Sequence, residues 1–158
     1  MIDLKDVVAA AIGSRLSSRH FGSPIISWGS EDMQDDRSLQ GVRVLVVEDT
    51  WQVAMALKST LTDAGMVVLG PAGTITDAER LVAKEAPDLV LVDINLHGEM
   101  AFDLVDRLRQ REVRVIVMSG LAVLPRLVRQ DTAFLKKPFG TDELLTAMRQ
   151  TMLAKREG

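Results

Sequence analysis

The 158-residue chain has no cysteine. That excludes disulfides and thiolate chemistry. It has no apolar run near the ~18 residues of a membrane span. A basic excess is also missing. The formal net charge is −3, so no global positive field recruits nucleic acid. The opening residues, Met1-Ile2-Asp3-Leu4-Lys5-Asp6, carry two acids before a short apolar run. That is the wrong charge pattern for a secretory leader. These absences lead to the expectation of a soluble cytoplasmic protein, with no membrane or nucleic-acid partner. Against them stands a hydrophobic content of 47%, ordinary for a globular chain and enough for a core. The length suits one domain plus an extension.

Leu4, Val7, Val8, Ala11, Ile12 and Leu16 recur at helical spacing, which predicts a short amphipathic helix over 3–16. From Ser17 to Gln40 the pattern breaks into serine, glycine, one proline and a charged stretch. That composition reads as a linker. Residues 1–40 are therefore an extension and 41–156 the domain. No internal repeat is present.

From Gly41 the chain alternates strand and helix. Leu89-Val90-Leu91-Val92 is a run of β-formers that ends on Asp93. Four apolar residues in a row read as a strand buried on both faces, as in a parallel sheet. Val42 to Val47 has the same form and ends on Glu48-Asp49; Val113 to Met118 ends on Ser119-Gly120; Thr132 to Leu135 ends on Lys136-Lys137-Pro138-Phe139. Met66 to Leu69 reads as a short strand, with Gly70 to Gly73 as a loop. Between strands, Val53, Leu57 and Leu61 mark one helix face, stopping near Gly65 as a C′ glycine. Thr76 and Glu79 read as a capping box ahead of Leu81 and Val82. Phe102, Leu104, Val105 and Leu108 mark a third helix. Thr141 reads as the cap of a last helix, with Leu144, Leu145, Met148 and Met152 inward. Five alternations in about 115 residues imply a parallel sheet with helices on both faces.

A lone acid at a strand end is usually a cap or a turn residue. The set is more informative than its members. Glu48, Asp49 and Asp93 would repel one another if they converged, and could not all stay ionised without a cation. A hard divalent ion answers that need, and Mg²⁺ takes one or two carboxylates directly plus waters. One carboxylate can then act as nucleophile and form an acyl phosphate. Lys137 offers a point charge to a phosphoryl oxygen and Ser119 a hydroxyl. No histidine base is required, because a carboxylate is already deprotonated at neutral pH.

In these stretches the chain resembles the receiver domain of two-component response regulators, from residue 42 to about 155. The resemblance implies an α/β fold: a five-stranded parallel sheet, doubly wound, flavodoxin-like or CheY-like, in strand order 2-1-3-4-5. It implies Asp93 as the phospho-acceptor, with Asp49 and Asp93 as direct ligands of Mg²⁺ (Mn²⁺ can substitute). Glu48 would act through water, and the Asn95 main-chain carbonyl would be the third protein ligand. Ser119 and Lys137 would bind the phosphoryl group, the Lys137-Pro138 bond would be cis, and Phe134 would be the switch aromatic. The partners implied are a sensor histidine kinase or a phosphotransfer protein, and a downstream protein target on the 121–155 face. Two departures stand out. The stretch from Ser119 to Phe134 is short, so a helix at about 122–130 must be short or irregular, and Pro125 favours that. His97-Gly98 replaces the usual proline after the acceptor. His97 could touch the phosphoryl group, though an exposed loop histidine is the simpler reading.

A haloacid-dehalogenase-like phosphatase also uses an Asp nucleophile and Mg²⁺. It needs a second Asp two residues later, where this chain has Asn95. A degenerate receiver that only binds partners is the other alternative, and the complete acidic, hydroxyl and lysine set argues against it. Only Lys155 to Gly158 follow the last helix, so a stand-alone receiver is expected, catalysing nothing beyond its own phosphorylation and dephosphorylation.

Overall fold

The apolar runs become strands with helices on both sides. The computed structural model describes residues 4, 6, 7, 35–120 and 131–154. A 3₁₀ turn (Asp35–Leu39) leads into β1 (Arg43–Val47), α1 (Trp51–Asp63), β2 (Val67–Ala72), α2 (Ile75–Glu85) and β3 (Leu89–Asp93). Two short strands follow, β4 (Asn95–Leu96) and β5 (Glu99–Met100), then α3 (Phe102–Gln110), β6 (Arg114–Ser119), β7 (Ala133–Lys136) and α4 (Thr141–Leu153). The main sheet is parallel throughout, in order β2-β1-β3-β6-β7. Counting only its own strands, that is the expected 2-1-3-4-5. β4 and β5 pair antiparallel as a separate hairpin.

Side chains alternate between the faces of a strand, and here both faces are core. Val44, Val46, Leu89, Leu91, Ile116 and Met118 pack with Val53, Leu57 and Leu61 of α1 and with Leu144 and Met148 of α4. Leu45, Val47, Val90, Val92, Val115 and Val117 pack with Ala78 and Val82 of α2 and Leu104, Val105 and Leu108 of α3. Each such buried Val, Leu or Ile side chain contributes about 1.5–3 kcal/mol. This is why the central strands show no polar alternation.

Gly65 ends α1 as expected, at φ +86°. Met66 N–H donates to Leu61 O and Gly65 N–H to Thr62 O, the paired bonds of a Schellman motif. Three local expectations need correction. The cap of α2 is Thr74, not Thr76: its Oγ1 accepts from Asp77 N–H, and its backbone is extended, so the helix begins one residue later. Thr76 and Glu79 lie inside the helix, and Glu79 pairs with Arg107 of α3 at 2.6 Å. β2 runs on to Ala72 instead of stopping at Leu69, because a register shift opposite Leu45 to Val47 lets Ala72 pair with Val47. Glu48 N–H then donates to Ala72 O. Pro71, which has no N–H, is tolerated because β2 is an edge strand. The N-cap of α4 is Gly140, with Thr141 already helical and Leu144 N–H on Gly140 O.

Of the predicted helix over 3–16, Leu4, Asp6 and Val7 are described, and all three are helical. Leu4 is 3% exposed and belongs to the α1/α4-side core with Leu39; Val7 packs against it. The linker expected over 17–40 is corrected at its end, where Asp35–Leu39 is a 3₁₀ turn and Leu39 is fully buried in the core; residues 17–34 and the helix expected at about 122–130 fall outside the described residues. Among the described residues no helix is long and apolar enough to cross a membrane.

Candidate phosphoryl-acceptor site

The site follows from strand order. β3 lies between β1 and β6, so Asp93, its last residue, stands at the middle of the carboxyl edge. Open α/β sheets carry their sites at that edge. Glu48 and Asp49 leave β1 on one side of it; Ser119 closes β6 on the other; Lys137 follows β7 directly. Oxygen atoms of Glu48, Asp49 and Asp93 lie within 4.8 Å of one another.

Each of these carboxylates has an oxygen held by a fixed backbone donor. Thr50 N–H donates to Glu48 Oε1 at 3.0 Å, Asn95 N–H to Asp93 Oδ1 at 3.0 Å and His97 N–H to Asp49 Oδ2 at 2.8 Å. Lys137 Nζ donates to Glu48 Oε2 and to Asp93 Oδ2, both at 2.8 Å. The lysine is held from behind. Its N–H donates to Ser119 O at 2.8 Å, the Lys137–Pro138 bond is cis, and Phe139 is fully buried in the core. Ser119 is itself buried.

Burial pushes the Glu48 carboxyl above its ordinary value, and the charge and hydrogen bond of Lys137 offset this only in part. Burial would depress the Lys137 ammonium, but Asp93 and Glu48 outweigh it and hold the group above its ordinary value. Burial also acts to raise Asp49. The His97 N–H, a hydrogen bond with Glu48 and the His97 ring together prevail, and hold it below the usual range. Among the described residues the pocket thus carries one buried cation against three acids. That surplus of hard oxygen donors fits a divalent ion such as Mg²⁺ or Mn²⁺.

The remaining expected residues are placed as follows. The Asn95 side chain serves the loop, its Oδ1 accepting from Gly98 N–H at 2.9 Å. Phe134 of β7 is half-buried against the α2/α3-side core, paired in register with Val117. Lys136 is exposed. His97 is an exposed turn residue, the simpler of the two expectations. Its ring is exposed, yet Nδ1 lies 3.3 Å from Asp49 Oδ2. The available signal was His97-Gly98 as a two-residue turn: both have positive φ, +51° and +85°, between β4 and β5. Such turns favour residues that tolerate φ > 0. Thr50 carried no comparable signal.

The family model for the response regulator receiver domain matches residues 44–149. This chain belongs to that family. The receiver is 30% identical over 123 residues to the C4-dicarboxylate transport transcriptional regulatory protein DctD of Pseudomonas aeruginosa, covering 72% of this chain and 26% of that one. It is 25% identical over 119 residues to sporulation initiation phosphotransferase F of Bacillus subtilis, covering 72% of this chain and 95% of that one. Among solved structures it resembles the PhyR response regulator receiver domain of Erythrobacter litoralis. The TM-score is 0.66 at 30% identity, covering 77% of this chain and 97% of the other. The receiver spans only 26% to 58% of the length of the first curated relatives it matches.

Proposed function

We propose that this receiver accepts a phosphoryl group on Asp93 from a phosphohistidine of a sensor histidine kinase or phosphotransfer protein. The observation that carries this is the Asp93 carboxylate at the end of the central strand, with Oδ1 fixed by Asn95 N–H and Oδ2 on Lys137 Nζ. A carboxylate oxygen attacks phosphorus as the phosphorus–nitrogen bond of the donor breaks, and the imidazole leaves with that electron pair. Lys137 moves with the incoming oxygens, from Asp93 Oδ2 to the phosphoryl group. Ser119 supplies a second donor. Asp49, Asp93 and the Asn95 carbonyl would hold a Mg²⁺ ion, with Glu48 assisting through water. Bound there, the ion neutralises the charge that gathers as phosphate meets carboxylate.

The receiver is a signalling switch without a separate substrate, acting in the cytoplasm, with residues 1–40 as an extension of the 41–156 domain. Its output is contact with a downstream protein through the 121–155 face, or transfer of the phosphoryl group onward, as the likeness to a phosphotransferase supports. Phosphorylation draws Ser119 and Lys137 inward and lets Phe134 turn, a two-state shift that a partner reads. Phosphotransfer from a radiolabelled histidine kinase tests the assignment: label should appear on the native chain and vanish in Asp93→Asn. Undiminished label on the variant would remove Asp93 as acceptor.

A further inference from the structure

The backbone carries His97 to the acids at an energetic cost. It is a non-glycine residue at φ +51°, where most side chains are disfavoured by roughly 1–2 kcal/mol. The hairpin that holds it is pinned on both sides of the turn. Gly98 N–H donates to Asn95 Oδ1, and His97 N–H reaches across to Asp49 Oδ2. The result sets Nδ1 3.3 Å from the same Asp49 oxygen. Among the described residues Asp49 is its only polar partner. The ring is 68% exposed, so no packing holds it in place.

We propose that His97 is a nitrogen donor to the divalent-ion site, and biases that site toward first-row transition ions over Mg²⁺. This rests on the metal-site reading above. As it stands, the 3.3 Å between Nδ1 and Asp49 Oδ2 is an ion-pair contact that keeps the ring beside one of the carboxylates read above as an ion ligand. The acids alone are an all-oxygen set, which suits Mg²⁺, Ca²⁺ and Mn²⁺. An imidazole adds little for Mg²⁺. It adds increasingly along Mn²⁺, Co²⁺ and Ni²⁺, in the Irving–Williams order. The His97 nitrogens lie outside the 4.8 Å group formed by the acids, so ligation requires the ring to turn inward over Asp49.

The test is calorimetric titration of the full chain with Mg²⁺, Mn²⁺ and Ni²⁺, for the native protein, His97→Asn and Asp49→Ala. Asparagine suits the positive φ of a two-residue hairpin turn and removes the imidazole. His97→Asn should lose about tenfold or more in Ni²⁺ affinity and leave Mg²⁺ affinity within about twofold. Asp49→Ala should lose both. Spin-echo spectra of the Mn²⁺ form should show imidazole nitrogen modulation that disappears in His97→Asn. An unchanged Ni²⁺ to Mg²⁺ affinity ratio in His97→Asn would overturn the proposal, while Asp49-dependent Mg²⁺ binding would leave the site itself standing. Failure of the native chain to bind any of the three ions would overturn both readings.

Discussion

Replacing Lys137 with methionine removes the cation that Glu48 and Asp93 share and leaves an unbranched side chain one atom shorter. Lys137, Glu48 and Asp93 side chains are 9%, 1% and 12% exposed, so water gives them little relief. Removing one partner of a buried ion pair typically costs about 3–5 kcal/mol, because the other charge is stranded. Here two carboxylates are stranded. Glu48, already raised by burial, rises further without Lys137, and proton uptake caps the loss near the lower end, about 3 kcal/mol. With a urea slope of about 2 kcal/mol/M, the unfolding midpoint of the ion-free protein should fall by about 1.5 M at pH 7. The sign with pH is fixed. The folded pKa of Lys137 is raised above 10.5, so its contribution is fully present below 10.5 and is lost as pH rises through the folded value. The loss should reverse with Mg²⁺. Without the ammonium the site is more negative and binds the ion better. At a Mg²⁺ concentration about 100-fold over the variant's Kd the ion restores roughly 2.7 kcal/mol, and at that same concentration the increment should exceed that of the weaker-binding native chain. Urea titration with and without Mg²⁺ measures both effects. An ion-free variant within about 0.5 kcal/mol of the native protein, or an equal Mg²⁺ increment, would refute the reasoning.

Asp49→Ala should weaken Mg²⁺ binding much more than Glu48→Ala, because Mg²⁺ recruits few direct carboxylates and Glu48 is already engaged by Lys137 and Thr50; equal losses on titration would contradict that division. The Asp49 carboxyl is held below its ordinary 3.8, so it stabilises the fold above pH 3.8 and loses that contribution as pH falls through the lower folded value. Asp49→Asn should therefore flatten the acid limb of the stability curve, and an unaltered limb would count against the His97 contacts as its cause. Deleting residues 1–32 should leave phosphorylation intact while lowering stability, and Leu4→Ala alone should lose about 2 kcal/mol. Unchanged urea midpoints would mean that Leu4 contributes nothing to the core it joins.

The sheet was legible because its three central strands are buried on both faces. Leu89 to Val92 could not be an amphipathic strand, and a doubly covered parallel strand puts Asp93 at the edge where sites form. The convergence of Glu48, Asp49, Ser119 and Lys137 on that edge follows from strand order alone. What escaped was decided by contacts that no local pattern encodes. Thr74 and Thr76 are both plausible caps, and the extended backbone of Thr74 decided between them. The extra length of β2 comes from a register shift against Leu45 to Val47. Leu4 is buried in a core cluster that includes Leu39, more than thirty residues away. The reach of the turn residue His97 to Asp49 was hidden because the hairpin that folds it back is only two residues per strand.

The central claim is that the phosphoryl group resides on Asp93. The direct measurement is to incubate the chain with Mg²⁺ and acetyl phosphate, trap the product with borohydride, and locate the reduced residue by peptide mass spectrometry. An acyl phosphate is reduced at its own carboxyl. The account predicts reduction at Asp93, none without divalent ion, and none in Asp93→Asn. Reduction at Glu48 or Asp49, or no trapped product from the native chain, would contradict it.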